Sequence, residues 1–334
     1  MRPALLPIAP AGVAPRGRRC RIAVLLAPAA LATLALQACT RRHPAPTAAP
    51  TTDARPLVIT TAAPITLFTR AVAGSCATVI PLIPAGVDPH AFQSRPADLL
   101  RLRRARVLVS NGLGLESFLT PLIQAAERPD LVRIESGGGL ALPAASANPH
   151  AWLDPDRARR QVKAIGEGLA AADPACASGY RQRAAAFGKQ LSVLDQEIAS
   201  RLAGYRGRRF VTSHAFAAYF AHRYGLVEVS LQTIPEQEPS PQDLQRVETA
   251  VRQGRLRAVL SPPGEQSRAL EALARDLGVA VGSFDTLELL SDVQSADPQT
   301  YLKLQRRNTD AVLKALGKGD RLGPDQAQGG AGSP

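Results

Sequence analysis

LVITTAAPITLFTRAVAGSCATVIPLI, residues 57–83, holds two short apolar runs with an amphipathic one between them. LVITT at 57–61 and ATVIPLI at 77–83 are rich in β-branched residues and read as strands. Between them, apolar residues over 65–73 recur at helical spacing until Gly74 stops the run. Two strands joined by a helix are the building unit of a parallel sheet, because a parallel return needs a crossover too long for a hairpin.

The alternation continues with a helix over 96–104, RVLVS at 106–110, a helix over 116–128 and LVRI at 131–134. It then breaks. Residues 156–172 and 178–202 both show helical spacing with no strand between them, and Pro174 marks the joint. The second stretch is long for a globular helix, which suits either a connection between lobes or a long surface helix. Alternation resumes with RFVTS at 209–213, a helix over 214–224 and a strand near 227–231. Ser240-Pro241-Gln242-Asp243 then opens a helix, with Ser as N-cap, Pro in the first turn and an acid favoured by the dipole. AVLS at 258–261, a helix over 267–277 ended by Gly278, VAVGSF at 279–284 and a helix over 300–316 complete the pattern. The fold class is α/β, with two lobes of similar plan over 57–175 and 206–318, mostly parallel sheets, and a connecting helix over 176–205. The Gly- and Gln-rich stretch at 319–334 reads as disordered.

With 334 residues, 45% of them hydrophobic, the chain can fill one large or two ordinary domains. The formal charge of +12 misleads, because Arg2, Arg16, Arg18, Arg19 and Arg21 precede Cys39 and no acid does; without them +12 becomes +7. The remaining arginines are interspersed with acids, as at 156–163, the pattern of solvated faces and not of a phosphate-tracking stripe, so nucleic acid is not an expected partner. Arg16 to Arg21, an apolar run over 22–36 and Leu36-Gln37-Ala38-Cys39 together read as a secretory signal peptide over 1–38. The run is short of the ~20 residues that span a bilayer. Its ending resembles the bacterial lipobox, which implies a lipidated Cys39 anchored to a membrane, against the alternative of ordinary secretion. Residues 39–56, rich in Pro, Ala and Thr, read as a flexible tether. Cys76 and Cys176 remain in the folded part, and the sequence leaves open whether they pair or stay separate thiols.

Of five histidines, His43 lies in the tether and His222 inside a helical pattern. His90 follows the strand ending at Ile83, His214 follows Ser213, Asp285 follows Phe284, and His150 sits in the loop NPHAWLDP. In α/β sheets ligands bind beyond the carboxyl ends of strands, where three of these residues fall. Singly, each is more often structural than functional, and neither C-x-x-C nor H-E-x-x-H is present, so spacing alone leaves a metal site open.

IPAGVDPHAFQSRPADLLRLRRARVLVSNGLGLESFL from Ile83, NPHAWLDP at 148–155, VTSHAFAAYFAHRYGL at 211–226 and EPSPQDL at 238–244 resemble, in order, the motif segments of the zinc and manganese ABC-transporter solute-binding family. The resemblance runs from about 57 to 316. It implies a divalent metal, zinc or manganese, held by His90, His150, His214 and Asp285, two ligands in each lobe, and a rigid connecting helix at 178–202. It also implies a monomer that captures the ion outside the cytoplasmic membrane and delivers it to an integral membrane permease driven by a cytoplasmic ATPase, and that performs no reaction. Four protein ligands suit carriage better than catalysis, which keeps a position open. If His214 opens its helix, the dipole favours a neutral imidazole. Glu116 and Trp152 are candidates for orienting the ligands.

Two departures stand out. Pro262 occupies a position where the family usually has Glu, leaving Glu265 as the replacement, and 127–146 lacks the His-rich acidic loop of many zinc importers. His214, where manganese-specific members commonly have Glu, favours zinc or a mixed specificity. Two rival readings are a secreted zinc metallohydrolase, which needs a vacant ligand position and a base, and a surface adhesin or scaffold with a non-functional site.

Overall fold

The computed structural model describes residues 55–140, 148–234, 237–265 and 267–317. The expected signal peptide, Cys39, His43, nearly all of the tether and the tail at 319–334 lie outside the described residues.

The first lobe runs β1 (Leu57–Thr60), α1 (Ala63–Ala73), β2 (Thr78–Pro81), α2 (Pro96–Arg104), β3 (Val107–Ser110), α3 (Leu119–Ala126) and β4 (Val132–Glu135). Its strands form a parallel sheet in the order β2-β1-β3-β4. Successive side chains of a strand point to opposite faces, and both faces are covered. Val58, Val107 and Val109 enter one core with α1 and, from later in the chain, Ala158, Val162 and Ile165. Ile59 and Leu108 enter the other with Leu102, Leu119 and Leu122.

Helices α4 (Pro155–Ala172) and α5 (Ala177–Leu202) follow, packed as a hairpin about the joint at Pro174. Asp154 caps α4 through the amides of Asp156 and Arg157. The two helices approach so closely that a Cβ on Gly166 would stand 2.7 Å from the Cβ of Ala184. At 26 residues α5 is roughly 39 Å long. The cysteines left open by the sequence pair: Cys76–Cys176 joins the start of β2 to the start of α5, with Cα atoms 6.1 Å apart. Arg183 donates to the carbonyls of Val72 (2.6 Å) and Ala73 (2.9 Å) beside it. At its far end α5 carries Asp195, Glu197 and Arg201, paired with Arg223, Arg306 and Asp310 of the second lobe.

That lobe runs β5 (Arg209–His214), α6 (Ala218–Tyr224), β6 (Val227–Gln232), α7 (Pro241–Gly254), β7 (Ala258–Ser261), α8 (Arg268–Leu277), β8 (Ala280–Ser283), α9 (Asp292–Ala296) and α10 (Gln299–Leu316), with the parallel order β6-β5-β7-β8. The two sheets share one connectivity. Among the described residues no helix is long and apolar enough to cross a membrane.

Two expectations are corrected, and one element is new. The helix expected over 116–128 starts only at Leu119, because the Glu116 carboxylate accepts from the amides of Asn111 (2.8 Å) and Gly112 (2.9 Å) and holds the preceding loop folded back. Gly112 sits at φ 78°, where a side chain would also collide with Glu135. His214 does not open a helix: it pairs with Gln232 as the last residue of β5, so the helix-dipole argument does not apply to it. The short α9 was not anticipated, although its capping box, Ser291 with Gln294, is present in the sequence.

Candidate metal centre

Two of the histidines are delivered by the same local device. In Asp88-Pro89-His90 the Asp88 Oδ1 accepts from the His90 amide at 2.8 Å, and in Asn148-Pro149-His150 the Asn148 Oδ1 accepts from the His150 amide at 3.0 Å. An Asx side chain that bonds its own backbone two residues on makes a turn, and the intervening Pro keeps the Asx residue out of the helical region. One such turn lies in the loop after β2. The other begins the segment 148–154, which has no regular strand beneath it. His214 needs no turn, because β5 itself ends at the site.

These three imidazoles converge from three distant parts of the chain, with ligand-type nitrogens all within 4.8 Å of one another. The Nε2 atoms of His90 and His150 are 3.3 Å apart. His150 and His214 are 2% and 3% exposed. The His214 Nε2 is buried with no hydrogen bond, while its Nδ1 faces the Glu265 carboxylate at 3.0 Å. The His150 Nδ1 faces Asn148 Oδ1 at 2.9 Å.

The expected fourth member, Asp285, does not join this set. Its Oδ1 accepts from the amide of Leu287 at 2.8 Å, and its own amide donates to Asn308. The carboxylate that meets the imidazoles belongs to Glu288, whose Oε1 stands 3.0 Å from His90 Nε2 and 3.4 Å from His150 Nε2. Leu287 between them takes φ 63°, a strained value for a branched residue, and the Asp285 bond holds it there. Asp285 thus shapes the turn, and Glu288 stands against His90 and His150. Sequence reasoning missed Glu288, yet a signal existed: an acid embedded among Leu287, Leu289 and Leu290 belongs to a residue type seldom buried without a partner.

Glu116 and Trp152 are set back from the ion-binding atoms. Glu116 accepts from Thr61 Oγ1 at 2.5 Å and from the Asn111 amide, and Asn111 in turn donates to the Pro149 carbonyl at 2.9 Å, so Glu116 is linked to His150 only through Asn111. Trp152 is fully buried with its ring centroid 5.2 Å from that of His150, and its indole N–H donates to the Thr286 carbonyl at 2.8 Å. The segment carrying both is tied strongly to the second lobe: Tyr219 donates to the Asn148 carbonyl, Tyr301 to the Trp152 carbonyl and Gln305 to the Leu153 carbonyl. The segment that carries His150 is thus bonded to both lobes, through Asn111 of the first and Tyr219, Tyr301 and Gln305 of the second.

The electrostatics favour ion-ready protonation states. Burial holds the His150 imidazolium down, outweighing the attraction of Glu288, so the ring is neutral with a lone pair to offer. Nitrogens about 2.0–2.1 Å from a tetrahedral ion stand roughly 3.3 Å apart, and the spacing of His90, His150 and Glu288 matches that figure.

Behind His214, Glu228 accepts from Thr212 Oγ1 and the Ala217 amide, both at 2.8 Å. Burial raises its carboxyl to about 7 against the lowering effect of those bonds. Folded Glu228 thus holds a proton that the unfolded chain has lost between pH 4.5 and 7. Its favourable contribution is full below pH 4.5 and disappears as pH rises through 7. Glu228→Gln is accordingly expected to stabilise the metal-free protein at pH 8 by about 3 kcal/mol, with the gain vanishing near pH 4.5. Chemical denaturation of both proteins at the two pH values checks this; a pH-independent difference would refute it.

The family described as zinc-uptake complex component A, periplasmic, matches residues 58–315. The zinc-binding lipoprotein AdcA of Streptococcus pneumoniae is 26% identical over 92% of this chain, which spans 64% of AdcA's length. The iron-binding protein YfeA of Yersinia pestis is 27% identical, over 78% of this chain and 86% of its own. Among solved structures, the Zn(II)-bound ZnuA-like domain of AdcA superposes with a TM-score of 0.68 at 26% identity, covering 78% of this chain and 99% of the domain. FpvC of Pseudomonas aeruginosa, solved with Ni2+, gives 0.68 at 29% identity over 78% and 97%.

Proposed function

From the premise that this chain belongs to the zinc-uptake complex component A family, we propose that it captures one divalent transition-metal ion on His90, His150, His214 and Glu288 and hands it to an ABC importer. The importer would comprise an integral membrane permease and a cytoplasmic ATPase. In this reading Cys39 carries the lipid that holds a monomeric protein at the outer face of a membrane. The observation that carries the proposal is the convergence of three imidazoles, two of them against the buried Glu288 carboxylate, with the His214 Nε2 left without a hydrogen bond. A buried polar atom of that kind is costly unless something bonds it, and a cation does so.

Three neutral nitrogens and one carboxylate form a borderline donor set that accepts zinc, manganese, iron or nickel. Zinc is our choice, because four protein ligands near tetrahedral spacing suit it and it binds such sites more tightly than manganese or iron. The relatives bind different ions, as the names of YfeA and the FpvC complex attest.

The test is competitive titration of the exported chain, carrying Cys39→Ser, with zinc and manganese. One equivalent of zinc bound, and manganese unable to displace it at comparable concentration, is the expected result. Failure to bind any divalent ion would refute the proposal, and a preference for manganese would reassign the cargo.

A further inference from the structure

We propose that Glu265 is a positioning residue for metal capture, holding His214 in the tautomer that presents Nε2 to the ion. The inference rests on the metal-binding reading above. A neutral imidazole carries its proton on only one nitrogen, and the hydrogen bond made by the other side of the ring decides which. In His214 the Nδ1 stands 3.0 Å from Glu265 Oε2, while Nε2 is buried and has no hydrogen bond. A carboxylate accepts and cannot donate, so it fixes the proton on Nδ1 and leaves the Nε2 lone pair for the cation. It also strengthens the ring as a donor, as carboxylates behind metal-bound histidines do. His150 is backed at Nδ1 by the neutral amide of Asn148 instead, so of the two buried imidazoles His214 is the one with a carboxylate at Nδ1.

The chain places Glu265 by a tight turn. Pro262-Pro263-Gly264-Glu265 closes with the Glu265 amide donating to the Pro262 carbonyl at 3.2 Å, and Gly264 takes φ 86°. Pro at the second position and Gly with positive φ at the third are the residues a type II turn requires. Pro262 follows β7 directly, so the turn returns the acid toward the carboxyl end of the sheet where His214 lies. The departure at Pro262 thus marks the start of a device that supplies the acid three residues later.

The experiment compares wild type with Glu265→Gln and Glu265→Ala for zinc affinity by chelator competition, for the side-chain 15N shifts of His214 in the metal-free protein, and for the visible spectrum of the cobalt(II) form. Glu265→Ala is expected to lose about 10–100-fold in affinity, to show His214 in mixed tautomers, and to alter the cobalt spectrum. Glu265→Gln, which keeps an acceptor oxygen, should recover part of that loss. Both variants binding zinc within twofold of wild type, with His214 still protonated only on Nδ1, would overturn the inference alone. A wild-type chain that binds no metal would overturn the reading of the site and this inference with it.

Discussion

Glu288→Gln and His150→Ala are each expected to weaken zinc binding by more than about 100-fold, while Asp285→Asn stays within about threefold of wild type. Loss of a partner behind a metal-bound histidine already costs about 10–100-fold, so loss of a residue that touches the ion should exceed it. The Glu288 substitution removes the carboxylate that stands against His90 and His150 and with it that anion's attraction for the cation. Asp285→Asn keeps the oxygen that accepts from the Leu287 amide, and so preserves the turn that presents Glu288. Isothermal competition with a chelator of known affinity separates the cases. Equal losses for Asp285→Asn and Glu288→Gln would show that Asp285 is itself a ligand and return the fourth position to it.

The second large effect is on stability. Replacing both Cys76 and Cys176 with Ser is expected to cost about 2–5 kcal/mol of folding free energy without changing metal affinity. The bridge spans a sequence separation of 100 residues, and on the chain-entropy account a closed loop of that size restricts the unfolded chain by about 4.7 kcal/mol at most. Affinity should hold because Cys76 precedes β2 whereas His90 follows it, so bridge and site lie at opposite ends of the strand. Denaturant midpoints and zinc titrations of the same preparation read both quantities. An unchanged midpoint would refute the stabilising role, and a large loss of affinity would mean that the α5 anchor governs the site as well.

The alternation of β-branched runs and amphipathic stretches determined the parallel α/β class, because period two and period 3.6 are written locally and each element buries its own apolar face. The long α5 was legible for the same reason, as were the Ser240 cap and the stop at Gly278. The three histidines were legible as well, His90 and His150 through Asx-Pro-His turns and His214 through its place at the end of a strand. Each of those signals depends on residues a few positions apart.

Only the tertiary structure decided the rest. Whether Cys76 meets Cys176 depends on how α1, α4 and α5 pack, over a separation no local pattern encodes. That Glu288 and not Asp285 stands against His90 and His150 depends on which carboxylate the turn at Leu287 leaves free, and that is set by Asn308 on α10 and the Leu287 amide. The attachment of His150 to both lobes depends on Tyr219, Tyr301 and Gln305 reaching across to its backbone. A sequence fixes the elements through short-range preferences, but the atoms that meet an ion are chosen by long-range packing, which brings residues together without regard to their distance along the chain.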